Sequence, residues 1–471
     1  MNIKNIVGFA IGPIGVAVLG LATTPLITWA FSPEDVGRFG VFQTVLSLAL
    51  VVSVFGLDQA YTREYHSESD KPRLFKNSVL PGLCLLIILS AGVIFYGKLI
   101  SEFLFGIESR VLIFLTVCAV ILNYFSRFLS LILRMQERGL AFSMSQVIPK
   151  FVLLAIILVY IALPFEKSLV HLFYAFVASM AVVLVIFGWN TRKELKDSFK
   201  ASLDSDLMRK LFRYGLPLVV AGLAFQAISA VTIFSLRTLS TFPELAVYSV
   251  TLRFSAAAVL VQSIFSIIWA PLVFKWHSNN VDMNRVNSVA QTVLAAVCIF
   301  AAICGSLSWL VDYLLPEDYL QVKYLIVCAM VQPLLYTLSI VTSVGIGLQR
   351  KSSLSLGTSV IALLVNLLLC WVLIPQLGAS GAIIANTLSF FLLFVLNTEA
   401  SAFIWRGFPR VKMYLCLVLV VSGSILTVIL GHEIGPSVWV AWSLIGILSV
   451  MVFMSELRNL YGQILNRNTK A

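Results

Sequence analysis

Three basic residues of this sequence, Arg127, Arg253 and Lys150, lie inside or at the edge of long apolar stretches. A charge held in the middle of a bilayer costs roughly 3 kcal/mol or more on insertion scales, so a retained one usually has a function. The planar guanidinium of arginine can bind two phosphate oxygens at once. These residues are therefore candidates for a binding site inside the membrane, and their chemistry suits an anionic ligand. The alternative is structural, with Arg127 bonding helix backbone or reaching an interface, and Arg253 and Lys150 marking the ends of spans.

A second polar group closes an earlier apolar stretch, within the sequence FGLDQAYTREYH of residues 55–66. Its members Asp58, Gln59 and Arg63 predict either an ordinary ion pair at a helix end or a group that gates the site and receives an anionic ligand. Gln59 and Arg63 share one helix face, because they are four residues apart. Asp58 is also the acid best placed to bind a coupling ion, H⁺ or Na⁺.

Uncharged polar residues in other apolar stretches can either meet hydroxyl groups of a ligand or hydrogen-bond between helices. They are Asn123, Tyr124, Gln226 and Gln262. No group of His, Cys or acidic residues has the spacing of a metal site, and the seven cysteines all lie in apolar runs. We therefore predict no metal, no cofactor and no enzymatic activity.

The composition of the whole chain is that of a membrane protein. Of its 471 residues, 59% are hydrophobic and only 12% are charged, whereas soluble chains carry roughly 25% charged residues. Apolar runs of about 18 residues or more recur from end to end, and they lack the alternation of a membrane barrel. The sequence thus predicts an all-α integral membrane protein with about fourteen transmembrane helices. The predicted spans are 6–31, 39–57, 77–97, 111–133, 142–162, 168–188, 214–235, 246–274, 288–311, 323–348, 354–374, 379–398, 412–430 and 437–455.

The distribution of Lys and Arg among the loops predicts the orientation of these spans. Most of the basic loop residues fall on one side, which we assign to the cytoplasm together with both termini. The other side receives Arg38, Lys98, Arg110, Lys167, Arg237 and Lys323. The net charge of +11 is then explained by topology and attraction to anionic lipid, and no nucleic-acid partner is expected.

Short sequences recur at a spacing of roughly 210 residues, which is typical of an internal repeat. SPEDVGRFGV at residues 32–41 is echoed by TFPELAVYSV at 241–250, and MQER at 135–138 by LQRK at 348–351. An even number of spans in each half makes the repeat parallel, with a pseudo-twofold axis along the membrane normal. The predicted parts are a six-helix lobe at 1–190, a basic linker at 191–213, a second six-helix lobe at 214–400, and two further helices with a tail at 401–471.

Five stretches make the chain similar to the oligosaccharide flippases of the multidrug/oligosaccharidyl-lipid/polysaccharide exporter superfamily. They are FGLDQAYTREYH (55–66), LRMQERGLAFSMSQVIPK (133–150), LFRYGLPLVVAGL (211–223), AVYSVTLRFSAAAVLVQSIFSIIWAPLVFK (246–275) and LGASGAIIANTLS (377–389). The resemblance implies a protein of the bacterial inner membrane. Its cargo would be undecaprenyl-diphosphate-linked oligosaccharide, carried from the cytoplasmic to the periplasmic leaflet for O-antigen, capsule or exopolysaccharide synthesis.

The resemblance also implies partners, namely membrane lipids and the polysaccharide polymerase and glycosyltransferases of the pathway. The basic residues of the spans would then bind the diphosphate, and the uncharged polar residues would bind sugar hydroxyls. One alternative is a multidrug or cation exporter of the same superfamily, which would favour acids rather than cations inside its spans. Another is a membrane enzyme such as a polymerase, ligase or glycosyltransferase, which would need a sizeable catalytic loop.

Overall fold

The computed structural model describes residues 3–164, 167–279, 284–349, 351–405 and 409–456, with positions 282, 407 and 458. Of residues 3–11, 217, 218, 220–225, 267, 270 and 352, only the backbone is described. Within these ranges the chain forms helices and no strand. The predicted all-α fold is confirmed.

The chain divides into two compact units, Met1–Arg237 and Thr238–Ala471. The helices of the first are α1 (Ile3–Ala30), α2 (Pro33–Val54), α3 (Leu57–Glu64), α4 (Lys71–Phe95), α5 (Gly97–Phe105), α6 (Arg110–Met135), α7 (Gly139–Ala162), α8 (Leu169–Asn190), α9 (Arg192–Lys200) and α10 (Ser205–Leu239).

The second unit contains α11 (Phe242–Phe254), α12 (Ala256–Ser278), α13 (Asn284–Leu307), α14 (Val322–Thr342), α15 (Val344–Leu348), α16 (Ser352–Ile404), α17 (Arg410–Ile434) and α18 (Ser437–Val452). Two short 3₁₀ helices, Ser308–Tyr313 and Glu317–Tyr319, lie between α13 and α14.

Among the described helices, eleven are long and apolar enough to cross a membrane. The predicted spans 354–374 and 379–398 both lie within α16, whose two helical parts meet at a kink at Gly378 and are counted as one crossing, and α18 has only 16 residues, fewer than a full crossing needs. The number fourteen is therefore not confirmed, although every predicted stretch is mostly helical. The chain continues as a helix past Pro375 and bends at Gly378.

Helix α10 begins inside the stretch predicted as a linker. The carboxylate of Asp204 accepts hydrogen bonds from the backbone N–H groups of Asp206 at 2.9 Å and Leu207 at 3.2 Å. An acid in this position satisfies N–H groups that have no partner within the helix. The helix can therefore start at Ser205, within 191–213. The predicted lobe boundaries stay a prediction.

The two echoed sequences form the same local structure, the start of a helix. Ser32 caps α2 by accepting a hydrogen bond from the backbone N–H of Asp35 at 3.2 Å. Thr241 caps α11 by accepting one from Glu244 at 3.5 Å. In both stretches a hydroxyl residue is followed three positions later by an acid, and a proline lies in the first turn. The echo thus has a direct physical cause in helix capping.

Aromatic packing holds together one end of the first unit. The rings of Phe39 and Phe42 on α2 pack against Phe173 and Phe176 on α8, and Phe105 at the end of α5 contacts Phe173. All five side chains are buried. Because lipid is as apolar as these side chains, close packing rather than exclusion of water stabilises such contacts.

In the second unit, α14 is the central helix, and nearly all of its residues are buried. Thr387 on α16 accepts a hydrogen bond from Gln332, and the hydroxyls of Thr342 and Thr398 lie 2.8 Å apart. Small residues allow close approach: the ring of Trp442 on α18 fills the space beside Gly305 of α13.

The bend at Gly378 gives a first testable prediction. Gly378 has φ 54° and ψ −126°, a conformation that side chains rarely tolerate. A Cβ atom there would lie 2.4 Å from Oε2 of Glu244, the oxygen that accepts a hydrogen bond from the N–H of Ala379 at 2.7 Å. We expect Gly378→Ala to lower the free energy of unfolding by about 1–3 kcal/mol, measured by thermal unfolding in detergent. Gly357→Ala, in the same helix and with open space around it, is the control and should leave stability unchanged or raise it.

Candidate functional site

A break between α2 and α3 creates the local structure of the candidate site. Phe55 and Gly56 both adopt left-handed backbone conformations, with φ 51° and 67°. The backbone of Gly56 passes directly against Gly215 of α10, and a Cβ atom on Gly56 would lie 2.3 Å from the Gly215 carbonyl oxygen. Discontinuous helices of this kind place polar groups and helix ends where transporters bind their ligands.

Asp58 lies in the first turn of α3 and forms an ion pair with Arg127 of α6. Oδ2 of Asp58 accepts hydrogen bonds from Nη2 of Arg127 at 2.5 Å and from Nε at 3.1 Å. Oδ1 accepts the backbone N–H of Gln59 at 2.8 Å. The Asp58 side chain is only 10% exposed, whereas that of Arg127 is 41% exposed. The guanidinium therefore has a buried counter-ion on one side and an open surface on the other.

Arg127 is held in place by buried aromatic residues of its own helix. Tyr124, three residues earlier, donates a hydrogen bond to the backbone carbonyl of Val79 on α4 at 2.6 Å. Phe128, the next residue, is buried in the same aromatic cluster, and its ring packs against Phe75. These contacts fix α6 against α4, so that the side chain of Arg127 has a defined position.

A second set of contacts links α3 to the start of α10. The guanidinium of Arg63 stacks on the ring of Tyr214, with Cζ 4.2 Å from the ring centre. Lys210 donates a hydrogen bond to Oε2 of Glu64 at 2.6 Å. The side chains of Arg63 and Lys210 are both 58% exposed. Together with Arg127, the α3 region thus presents three exposed cations.

The Glu64–Lys210 pair predicts a pH dependence of stability. The hydrogen bonds from Lys210 and Ser67 hold the pKa of Glu64 below its usual value. A carboxylate whose pKa is lowered on folding stabilises the fold fully at pH values above its unfolded pKa of about 4.3. This stabilisation is lost as the pH falls through the folded pKa. We expect Lys210→Gln to lower the thermal midpoint slightly at pH 7, and this difference from the wild type to vanish in acid below that window.

The exposed neighbour Arg209 supplies a matched control for this pair. Arg209→Gln removes the same charge from the same turn of α10 but keeps the Lys210–Glu64 contact. Its thermal midpoint should therefore match that of the wild type at pH 7. Equal midpoints for Lys210→Gln and Arg209→Gln at every pH would contradict a contribution from the Glu64 contact.

The other residues predicted for the site lie in several places. In the first unit, Tyr124 and Gln226 make the interhelical bonds that the sequence allowed as the alternative, since Nε2 of Gln226 lies 3.1 Å from Oγ of Ser47. Gln59 is exposed beside Asp58, while Asn123 and Lys150 are half-buried. Arg253 and Gln262 are half-buried residues of the second unit. Their predicted roles in binding the ligand stay predictions.

Sequence reasoning named Asp58 and Arg127 separately and missed their pairing, because 69 residues separate them. It also missed Lys210 and Tyr214. One signal existed: the two residues are one helical turn apart, with Lys210 directly before the similar sequence LFRYGLPLVVAGL and Tyr214 inside it. Among the described residues, no three His, Cys, Asp or Glu side chains are grouped as a metal site would need.

Comparison with protein families and curated proteins gives two matches. The family described as polysaccharide biosynthesis protein matches residues 3–277, which is more than half of the chain. A probable low-salt glycan biosynthesis flippase, Agl15 of Haloferax volcanii, is 23% identical over 246 residues. That alignment covers 51% of this chain and 50% of the relative, so the match spans only half the length of the flippase.

Solved structures show the same fold over nearly the whole chain. A lipid II flippase, MurJ, in an inward closed conformation matches with a TM-score of 0.69 at 15% identity, covering 96% of this chain and 99% of that one. An inward-facing multidrug resistance transporter of the MATE family matches with a TM-score of 0.58 at 16% identity, covering 86% of this chain and 95% of that one. At this identity the likeness concerns the fold, which is that of multi-pass membrane proteins.

Proposed function

The chain belongs to the polysaccharide biosynthesis protein family, and from that premise we propose that it flips undecaprenyl-diphosphate-linked oligosaccharide between membrane leaflets. The observation that carries the proposal is the half-exposed Arg127, paired with a nearly buried Asp58 at a helix break. A fixed guanidinium suits a diphosphate because it replaces hydration that the headgroup would lose on entering hydrocarbon. No bond of the cargo is made or broken, so the protein is not an enzyme in this proposal.

Asp58 acts in this scheme as the resting counter-ion of Arg127. Without cargo, the carboxylate neutralises the guanidinium and lowers the cost of keeping it in a membrane. A diphosphate carries more negative charge and more acceptor oxygens than one carboxylate, so it displaces Asp58 from the guanidinium. Arg63 at the end of α3 and Lys210 near the start of α10 then add positive charge that attracts the headgroup, while the polyprenyl tail stays in lipid.

The wider setting of the protein follows from the same proposal. Two lobes related by the sequence repeat would alternate access between leaflets, with both termini in the cytoplasm of a bacterial inner membrane. The flipped unit would serve O-antigen, capsule or exopolysaccharide synthesis, so glycosyltransferases would supply it and a polysaccharide polymerase would consume it. A proton or Na⁺ would be the coupling ion if transport is driven.

The proposal is tested by flipping in proteoliposomes. Purified protein is reconstituted with undecaprenyl-diphosphate oligosaccharide that carries a fluorescent label on its sugar, and dithionite added outside bleaches the accessible label. Active protein exposes the inner-leaflet label as well, so bleaching proceeds to completion, whereas protein-free vesicles keep a protected fraction. Accumulation of a cationic dye by the same vesicles without any flipping would assign the protein to the multidrug exporters instead.

A further inference from the structure

Helix α9 has an outer face of unusual composition. Four basic residues, Arg192, Lys193, Lys196 and Lys200, are exposed on this nine-residue helix, against one exposed acid, Asp197. Large apolar side chains lie among and beside them: Phe199 is 81% exposed, Trp189 just before the helix is 70% exposed, and Leu203 just after it is 55% exposed. We call the exposed side chains of Trp189, Arg192, Lys193, Lys196, Phe199, Lys200 and Leu203 the α9 surface.

The opposite face of α9 is fixed to the first unit. Glu194 accepts a hydrogen bond from Gln136 at 2.6 Å, and Leu195 packs against the hydrophobic cluster around Tyr61 and Phe128. Nζ of Lys76 on α4 donates to the carbonyl oxygens of Phe199 at 3.1 Å and Ala201 at 2.7 Å, at the C-terminal end of the helix. The helix therefore cannot turn its cations inward.

The position of α9 along the chain places this surface beside the bilayer. Helix α8, which is long and apolar enough to cross a membrane, ends at Asn190, and α9 begins at Arg192. Basic residues directly after a crossing helix meet the headgroups of the adjoining leaflet. Cζ of Arg192 lies 4.5 Å from the centre of the Trp189 ring. A cation stacked on an indole ring suits the boundary between acyl chains and headgroups.

We propose that the α9 surface binds anionic phospholipid headgroups, with Trp189, Phe199 and Leu203 entering the outer part of the acyl layer. Charge complementarity and exposed apolar side chains on one face are the features of interfacial lipid-binding helices. A protein partner would not explain why apolar side chains alternate with cations at the point where a membrane-crossing helix ends. The surface shares no residue with the site around Arg127.

The test measures binding of dioleoylphosphatidylglycerol to the full-length protein in detergent by native mass spectrometry. The variant Lys193→Gln/Lys196→Gln/Lys200→Gln removes three α9 cations but keeps the Arg192–Trp189 contact. Each basic residue near an anionic surface contributes a factor of about five in affinity. We expect the dissociation constant of the first bound lipid to rise at least about tenfold in this variant, while binding of dioleoylphosphatidylcholine stays unchanged.

A matched control removes the same charge elsewhere. Lys98→Gln/Arg110→Gln/Lys167→Gln changes three exposed cations of other loops and should leave phosphatidylglycerol affinity near that of the wild type. Phe199→Ser should weaken phosphatidylglycerol binding without any change of charge. Equal affinities for the two triple variants would overturn the proposal. So would a wild-type dimer that the α9 variant dissociates, because the surface would then be assigned to a second copy of this chain.

Discussion

Replacing Arg127 by alanine is expected to lower the flipping rate by about 10- to 100-fold, the effect of losing a charge-assisted hydrogen bond worth 1.5–3 kcal/mol. The reason is that Arg127 combines a fixed position on α6 with 41% exposure of its side chain, so that its fork is available to a diphosphate. Bleaching of labelled lipid in proteoliposomes measures the rate. Arg127→Lys should retain part of the activity, because it keeps the charge but loses the planar fork.

Two further variants separate this effect from loss of the fold. Arg134→Ala removes an exposed arginine two turns further along the same helix face, and it should flip at the wild-type rate. Asp58→Asn/Arg127→Gln removes both charges together, so no buried carboxylate is left without its partner. This double variant should unfold near the wild-type temperature yet remain inactive. Wild-type flipping by Arg127→Ala or by the double variant would remove Arg127 from the transport site.

Gly56→Ala is expected to have the largest effect on folding. The residue has φ 67°, which costs an L-amino acid about 1–2 kcal/mol, and its Cβ would lie 2.3 Å from the carbonyl oxygen of Gly215. The Gly215 atoms that this Cβ would meet all belong to the backbone, so α3 and α10 would have to separate, and Asp58 would move away from Arg127. We expect a fall of several degrees in thermal midpoint and a loss of flipping, measured on the same detergent-purified protein.

The control for this variant is Gly92→Ala on α4, where nothing lies within 4 Å of the added methyl group. It should leave both the midpoint and the flipping rate unchanged. If Gly56→Ala behaved like Gly92→Ala, the close backbone crossing of α2–α3 with α10 would have no role in forming the site.

Local patterns predicted much of this fold, because helix formation depends on neighbours in sequence. The Ser32 and Thr241 caps could be read from a hydroxyl residue followed by an acid three positions later. The break after α2 could not be read in the same way. Gly56 alone suggests a turn, but Phe55 is a residue that rarely adopts φ 51°, and only the packing of Gly215 explains why the chain does so.

The candidate site was predicted as residues but not as an arrangement. The free-energy cost of placing a charge in the membrane singles out Arg127, because a charged residue in an apolar stretch is usually functional. This cost does not identify its partner, because Asp58 is brought to it only by the packing of α3 against α6. The same applies to Tyr124, whose hydroxyl reaches Val79 on another helix. Residue type predicts what a side chain can do, and the tertiary contacts decide which of these possibilities is used.

The central claim is that Arg127 binds the diphosphate of the cargo, and a thermodynamic cycle tests it most directly. Binding of undecaprenyl-diphosphate oligosaccharide and of an uncharged, phosphate-free analogue is measured for wild type and Arg127→Ala in nanodiscs. The account predicts that removing either the diphosphate or the Arg127 side chain weakens binding about tenfold or more. Removing both should weaken binding little more than removing one. Effects that simply add, with the diphosphate contributing as much to the variant as to the wild type, would contradict it.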